Sequence, residues 1–210
     1  MEKYSTIGEF CLTPEYQTWQ NQWQPPTYDG TWFNDPNDLW DIWNTPREHI
    51  WYATASRIPY YLLDTINIDT KRCVDIGCGG NFLRLKNPNI WGVDWTSNTS
   101  TTQDEELTEE WYDENYEKWP NAISMNAIHF APSQKISESL SNIENILIPG
   151  GAGVVTLNRA RIQDNHSDDT YTDELLIEQI FSISTVTRVI WFDSPNEAPL
   201  DGNVWIWINK

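Results

Sequence analysis

The chain has 210 residues, enough for one domain with its own core. Its 13 basic and 31 acidic residues leave a formal net charge of −18, which opposes free binding to a phosphate backbone because such binding needs neutralising cations. The three cysteines form no C-x-x-C pair and no cluster with the three histidines, so neither a disulfide nor a metal site is expected.

No apolar run approaches about 18 residues and no signal peptide is visible, so the expected location is the cytoplasm, with no membrane contact. Residues 1–46 are aromatic, polar and interrupted by proline, with Trp19, Trp23, Trp32, Trp40 and Trp43 among them. They read as an N-terminal arm or lid: a platform over a pocket, a docking arm for a partner, or a segment whose aromatics pack on the domain. The domain is expected over 47–210. Its first element is a helix over 47–66, started near Pro46 and kinked or divided at Pro59.

Two short apolar runs follow, at 72–76 and 90–94. Thirteen residues lie between them. A parallel crossover needs about a dozen, so the helix there must be short. Residues 95–119 turn strongly acidic and predict an amphipathic helix. Thr102 and Glu105 form its capping box, and Leu107, Trp111, Tyr112, Tyr116 and Trp119 its apolar stripe. No convincing strand is visible in this stretch.

Residues 121–130 predict a strand and its exit loop. A helix opening at Ser133 carries Ile136, Leu140, Ile143 and Leu147 at helical spacing and stops at Pro149-Gly150-Gly151. Val154, Val155 and Leu157 then mark a buried strand. Thr170 or Thr172 caps a helix through about Ile183, and 186–192 and 204–208 are strands. The loop between those two is too poor in helical pattern for a crossover, so they should pair antiparallel.

The stretch 73–94 organises the rest. A strand ends in Gly77, Gly79 and Gly80, and a second strand ends in Asp94. Glycines let backbone approach a ligand closely, and an acid at a strand tip can accept two hydrogen bonds from a ribose diol. Together they describe a pocket for an adenosine-containing cofactor. A dinucleotide fingerprint would need a third small residue where Phe82 stands, which argues against a nicotinamide-dependent reductase, and no P-loop is present.

Asp75-Ile-Gly77-Cys-Gly79-Gly-Asn81 resembles motif I of the class I S-adenosylmethionine-dependent methyltransferases, with Asn81 in place of the last glycine. The helix before Pro149 and the terminal strand pair are also similar to that family. Within it, the Asp-x-Gly-Cys-Gly-x-Asn loop most resembles compact phage-encoded members.

The resemblance implies an α/β, Rossmann-like fold with a mostly parallel sheet and an antiparallel C-terminal strand. The family has its third strand within 95–119, where no strand is visible here, so the sheet is expected to be reduced there or that strand to be very short. The resemblance also implies S-adenosyl-L-methionine as cofactor, with Asp75, Gly77, Cys78 and Gly79 at its methionine end and Asp94 on its ribose. His129 and Asn126, at the exit of the fourth strand, are the catalytic candidates. His129 leads because imidazole titrates near neutrality. Arg159 and Arg161 follow a strand at the ligand-binding edge and are candidates for an anionic substrate group.

The family's amino-methylating motif is absent, so the acceptor is expected to be a small molecule or a protein, not a nucleic acid. The alternative is an inactive, methyltransferase-like component of an assembly such as a phage particle, located in the host cytoplasm or the virion.

Overall fold

The computed structural model describes residues 1–23, 58–68, 72–79, 81–85, 87–95, 103–128, 135–159, 162, 172–193 and 203–210. Eight strands form one sheet: β1 (Glu2–Tyr4), β2 (Cys73–Ile76), β3 (Ile90–Asp94), β4 (Glu105–Glu106), β5 (Trp119–Met125), β6 (Leu147–Leu157), β7 (Val186–Phe192) and β8 (Val204–Asn209). Their spatial order is β1-β7-β8-β6-β5-β2-β3-β4. Strand β8 runs antiparallel to both β6 and β7, and every other pairing is parallel. The fold is therefore α/β and Rossmann-like, with one reversed strand near the C-terminus, as the sequence led us to expect.

Helices cover both faces. On one, α4 (Glu109–Glu114), α5 (Ile136–Ile146) and α6 (Asp173–Phe181) lay Trp111, Ile136, Leu140, Ile143, Leu176 and Ile180 against Val74, Ile76, Val93, Val155 and Ile206. On the other, α1 (Ile7–Cys11), α2 (Pro14–Gln22) and α3 (Ile58–Thr65) cover Cys73, Ile123, Val154, Ile190 and Trp205. The central strands are buried on both sides, so they read as continuous apolar runs rather than alternating ones. No helix among the described residues is long and apolar enough to cross a membrane.

Several expectations change in detail. The described part of the expected helix is α3, Ile58–Thr65. Residues 24–57, including the stretch 47–57 of the expected helix and Trp32, Trp40 and Trp43, lie outside the described residues. The link from β2 to β3 contains a 3-10 turn, Phe82–Leu85, rather than an α-helix. The acidic stretch does hold a third strand, the two-residue β4, paired with the end of β3. Glu105 is therefore strand, not the end of a capping box. The real helix start is Thr108, whose Oγ1 accepts from the Trp111 N–H at 3.2 Å. Of the expected stripe, Tyr116 is exposed and Trp119 belongs to β5.

Pro149-Gly150-Gly151 lies inside β6, which starts directly after α5. The extra length is absorbed by a register shift opposite Trp119 and Asn121. Thr172 caps α6, its Oγ1 accepting from the Leu175 N–H at 3.2 Å.

The first 23 residues are built into the domain rather than extended from it. Strand β1 adds to the sheet beside β7, with Tyr4 opposite Phe192. Phe10 is fully buried, and its ring meets those of Tyr61 at 5.5 Å and Trp205 at 5.1 Å. Such edge-to-face pairs add to the gain from burying large apolar area. Arg188 on β7 fastens this segment. Its Nε donates to Glu2 Oε1 at 2.7 Å and its Nη1 to Glu15 Oε1 at 2.7 Å.

The hydrogen bonds from Arg188 hold both carboxyls below their ordinary value of 4.5. A depressed carboxylate stabilises the fold above its unfolded pKa, and the gain is lost as pH falls through the folded one. Arg188→Met should therefore cost about 1 kcal/mol at neutral pH. The gap to the parent should close below about pH 4.5, the ordinary value of both carboxyls. Thermal melts of the two proteins across pH check this; identical melting temperatures at neutral pH would show that Arg188 does not fasten the segment.

Candidate cofactor site

The site begins where β2 and β3 end. Beyond Ile76 the chain turns back over the tip of β3, and the Gly77 and Cys78 N–H groups both donate to the Val93 carbonyl, at 2.8 and 3.0 Å. The Gly79 N–H donates to Asp94 Oδ2 at 2.8 Å. The loop thus closes directly onto the acid at the end of the neighbouring strand. Gly77, Gly79 and Asn81 have φ of 72°, 50° and 53°. Glycine takes this left-handed conformation without penalty, and asparagine tolerates it better than most residues.

The two glycines differ in what surrounds them. A Cβ at Gly77 would lie 2.9 Å from the Trp95 ring and closer still to Ala127 Cβ. A Cβ at Gly79 would meet no described atom within 4 Å. One glycine is needed for packing as well as conformation, and the other has no described side chain against it.

Asp75, at the end of β2, is only 3% exposed and accepts no hydrogen bond from a described residue. Burial, with the charge of Asp94 second, pushes its carboxyl up to about 8. Burial and then the charges of Asp75, Asp94 and Asp104 push the Cys78 thiol far above its ordinary value. Cys78 therefore stays a neutral thiol, which suits packing and not nucleophilic attack.

Asn126 follows the last residue of β5 and has φ 53°. Its N–H donates to the Thr156 carbonyl at 3.0 Å, and its Oδ1 accepts from Thr156 Oγ1 at 3.4 Å. This anchors the β5 exit to β6 and sets Ala127 against Gly77. Arg159 plays a different part from the one expected. It is 8% exposed, and its guanidinium donates to Asp173 at 2.8 Å and to the Phe192 and Asp193 carbonyls. It also lies 4.5 Å from the Trp191 ring centre. Its planar fork clamps β6, β7 and α6 together through Nη1 and Nη2, while its buried Nε has no hydrogen-bond partner among the described residues. His129 and Arg161 lie outside the described residues, as do His49 and His166.

Sequence reasoning missed a supporting group behind the loop. Asp104, one of the acids of the 95–119 stretch, reaches back to β3. Its carboxylate accepts from the Gly92 N–H at 2.8 Å, from Asn81 Nδ2 at 3.4 Å and from Arg84. Gly92 makes room for this, since a Cβ there would lie 2.8 Å from Cys78 Sγ and collide with the Asn81 amide. An isolated glycine inside a strand signals such close approach, so Gly92 was detectable. Asp104 was not, because it sits in a run of similar acids. Trp95, next to Asp94, is a third missed neighbour.

No protein-family model matches the chain, and no curated protein matches it. Solved structures do. A chain of the complex between the Haloferax volcanii Trm112 methyltransferase activator and a candidate methyltransferase is similar at a TM-score of 0.53 and 15% identity, covering 82% of this chain and 95% of that one. A candidate S-adenosyl-L-methionine-dependent methyltransferase from Methanococcus maripaludis is similar at 0.51 and 15%, covering 81% and 89%. An S-adenosylmethionine-dependent methyltransferase from Mesorhizobium loti is similar at 0.50 and 13%, covering 74% and 99%. At these identities the likeness is one of fold. The class is thus the Rossmann-like methyltransferase fold, and the glycine loop lies between two adjacent parallel strands at their carboxyl ends.

The two glycines make a direct test of this geometry. Left-handed backbone costs an alanine about 1–2 kcal/mol, and forced packing adds about 1–3 kcal/mol. Gly77→Ala should therefore lose about 2 kcal/mol more than Gly79→Ala in denaturant unfolding. Equal losses would contradict the packing assigned to Gly77.

Proposed function

We propose that the protein is an S-adenosylmethionine-dependent methyltransferase acting on a small molecule or a protein. The observation that carries this reading is the Gly79 N–H bound to the Asp94 carboxylate across the mouth of a glycine loop. The residues present suit the cofactor. No described atom stands within 4 Å of a Cβ placed on Gly79, Asp94 is oriented by the loop, and Asp75 is a buried acid with no hydrogen-bonding partner among the described residues. An adenosyl group with a ribose diol and a positive centre answers each of these.

In this reading, S-adenosylmethionine supplies an electrophilic methyl group on a positive sulfur. The chain aligns the acceptor and excludes water, which is most of what in-line transfer requires. Asp94 accepts the ribose hydroxyls. Gly77 and Gly79 bring backbone close to the methionine end, with Cys78 packed behind them. Asn126 holds the β5 exit in place, and His129, three residues on, takes the acceptor's proton where the acceptor has one to lose. Arg161 is the remaining candidate for an anionic acceptor group, since Arg159 is engaged within the fold.

The net charge of −18 speaks against a nucleic-acid acceptor. The Haloferax volcanii complex supports a further reading in which an activator protein docks on this fold. An inactive component of an assembly, in a phage particle or elsewhere, would be expected to fill the pocket with its own side chains. No described side chain fills the place beside Gly79, which supports the enzyme reading.

Two variants test the roles. Hydrogen bonds to a charged acceptor contribute about 1.5–3 kcal/mol each, so Asp94→Ala should weaken S-adenosylmethionine at least about tenfold in calorimetric titration. Unchanged affinity removes the ribose assignment. Once an acceptor is in hand, His129→Ala should lower turnover about a hundredfold or more and leave cofactor affinity near the parent value. Equal turnover takes His129 out of the mechanism.

A further inference from the structure

Asp75 is the least comfortable group in the site. Val74 and Ile76 beside it are fully buried apolar residues, and opposite it stand Gly92 on β3 and Ile123 on β5. A carboxylate in such a place is costly unless a cation or donors meet it. Among the described residues none does. Asp94 carries the same sign of charge, and Arg84 is already paired with Asp104. The thiols of Cys73 and Cys78 are raised by burial first and by Asp75 second, so they stay neutral. No described residue gives an ionised Asp75 a positive partner, so a bound ligand can supply one.

The proposed cofactor offers such a partner in one of its two forms only. Before transfer its sulfur is positive; after transfer the thioether is neutral and the rest of the molecule is unchanged. We propose that Asp75 makes the pocket select the cationic methyl donor over its thioether product. Its carboxyl releases a proton to solvent when the donor enters and keeps that proton when the product occupies the site. This rests on the cofactor reading above and goes beyond it, because it fixes the order of affinities and couples them to pH. It gives the site a means of shedding product that does not depend on movement of a lid.

The sign follows from the position of the carboxyl. In the free protein Asp75 titrates near about 8, so it is mostly protonated at neutral pH. Binding that favours the ionised form releases protons below that pH, so donor affinity rises with pH and levels off above it. Affinity for the neutral product stays flat.

The test is calorimetric titration of the parent protein with S-adenosylmethionine and with S-adenosylhomocysteine, in buffers of different ionisation heat. The donor should release close to one proton near neutral pH, and its affinity should tighten by up to about tenfold per pH unit between about pH 6 and about pH 8. The thioether should release almost none. Asp75→Asn should bind both ligands with flat pH profiles and a smaller ratio between them. This isosteric change removes a buried charge, and the parent measurements stand by themselves if the variant misfolds.

Equal proton release with both ligands would assign Asp75 to the ammonium group they share and overturn the proposal. So would the absence of release with the donor. If neither ligand binds at any pH, the cofactor assignment fails and this inference falls with it.

Discussion

The hydrogen bond from the Gly79 N–H to the Asp94 carboxylate joins the two parts of the chain on which the site depends. It ties the loop after β2 to the tip of β3. The Val93 carbonyl, which takes two more N–H groups from the same loop, fixes the distance between them. Residues with a Cβ could not make this turn as cheaply. At Gly77 the left-handed backbone coincides with contact from Trp95 and Ala127, so conformation and packing demand the same residue. The Ala127 contact also places the exit of β5 against the loop. Three strands therefore bring their carboxyl ends to one site.

The rest of the fold supplies rigidity to that arrangement. Asp104 braces the loop from behind through Gly92, Asn81 and Arg84. Arg84, which pairs with Asp104, stands in the short 3-10 turn of the link from β2 to β3. At the far side Arg159 clamps β6 to β7 and α6. The N-terminal 23 residues complete the second face, with Phe10 set among Tyr61, Phe192 and Trp205. The tryptophan-rich start of the chain is thus partly explained by apolar area that a sheet buried on both faces requires.

Much of this was legible in the sequence because it rests on local rules. Glycines after one apolar run and an acid after the next gave β2, the loop and β3. A stripe at Ile136, Leu140 and Ile143 gave α5, and a short non-helical link gave the antiparallel β7–β8 pair. What escaped notice depended on partners distant in the chain. β4 has two residues and no pattern of its own; pairing with β3 defines it. Asp104 looks like its acidic neighbours until Gly92 and Arg84 are beside it. Arg159 looked available for a substrate because it follows a strand at the ligand edge, yet the carbonyls that hold it lie over thirty residues away. Pro149-Gly150-Gly151 resembled a loop, and a register shift turned it into strand. Residues 1–23 carried no strand signal, since three residues joining an existing edge need none.

The central claim is that this pocket holds an adenosyl cofactor with a positive sulfur. Titrating the parent protein with S-adenosylmethionine, with NADH as control, and following both binding heat and thermal stability tests it most directly. A ligand at about 100 times its dissociation constant stabilises the bound fold by about 2.7 kcal/mol. The account predicts saturable binding and that stabilisation with S-adenosylmethionine, and neither with NADH. Binding of NADH alone, or no stabilisation by either ligand, would contradict it.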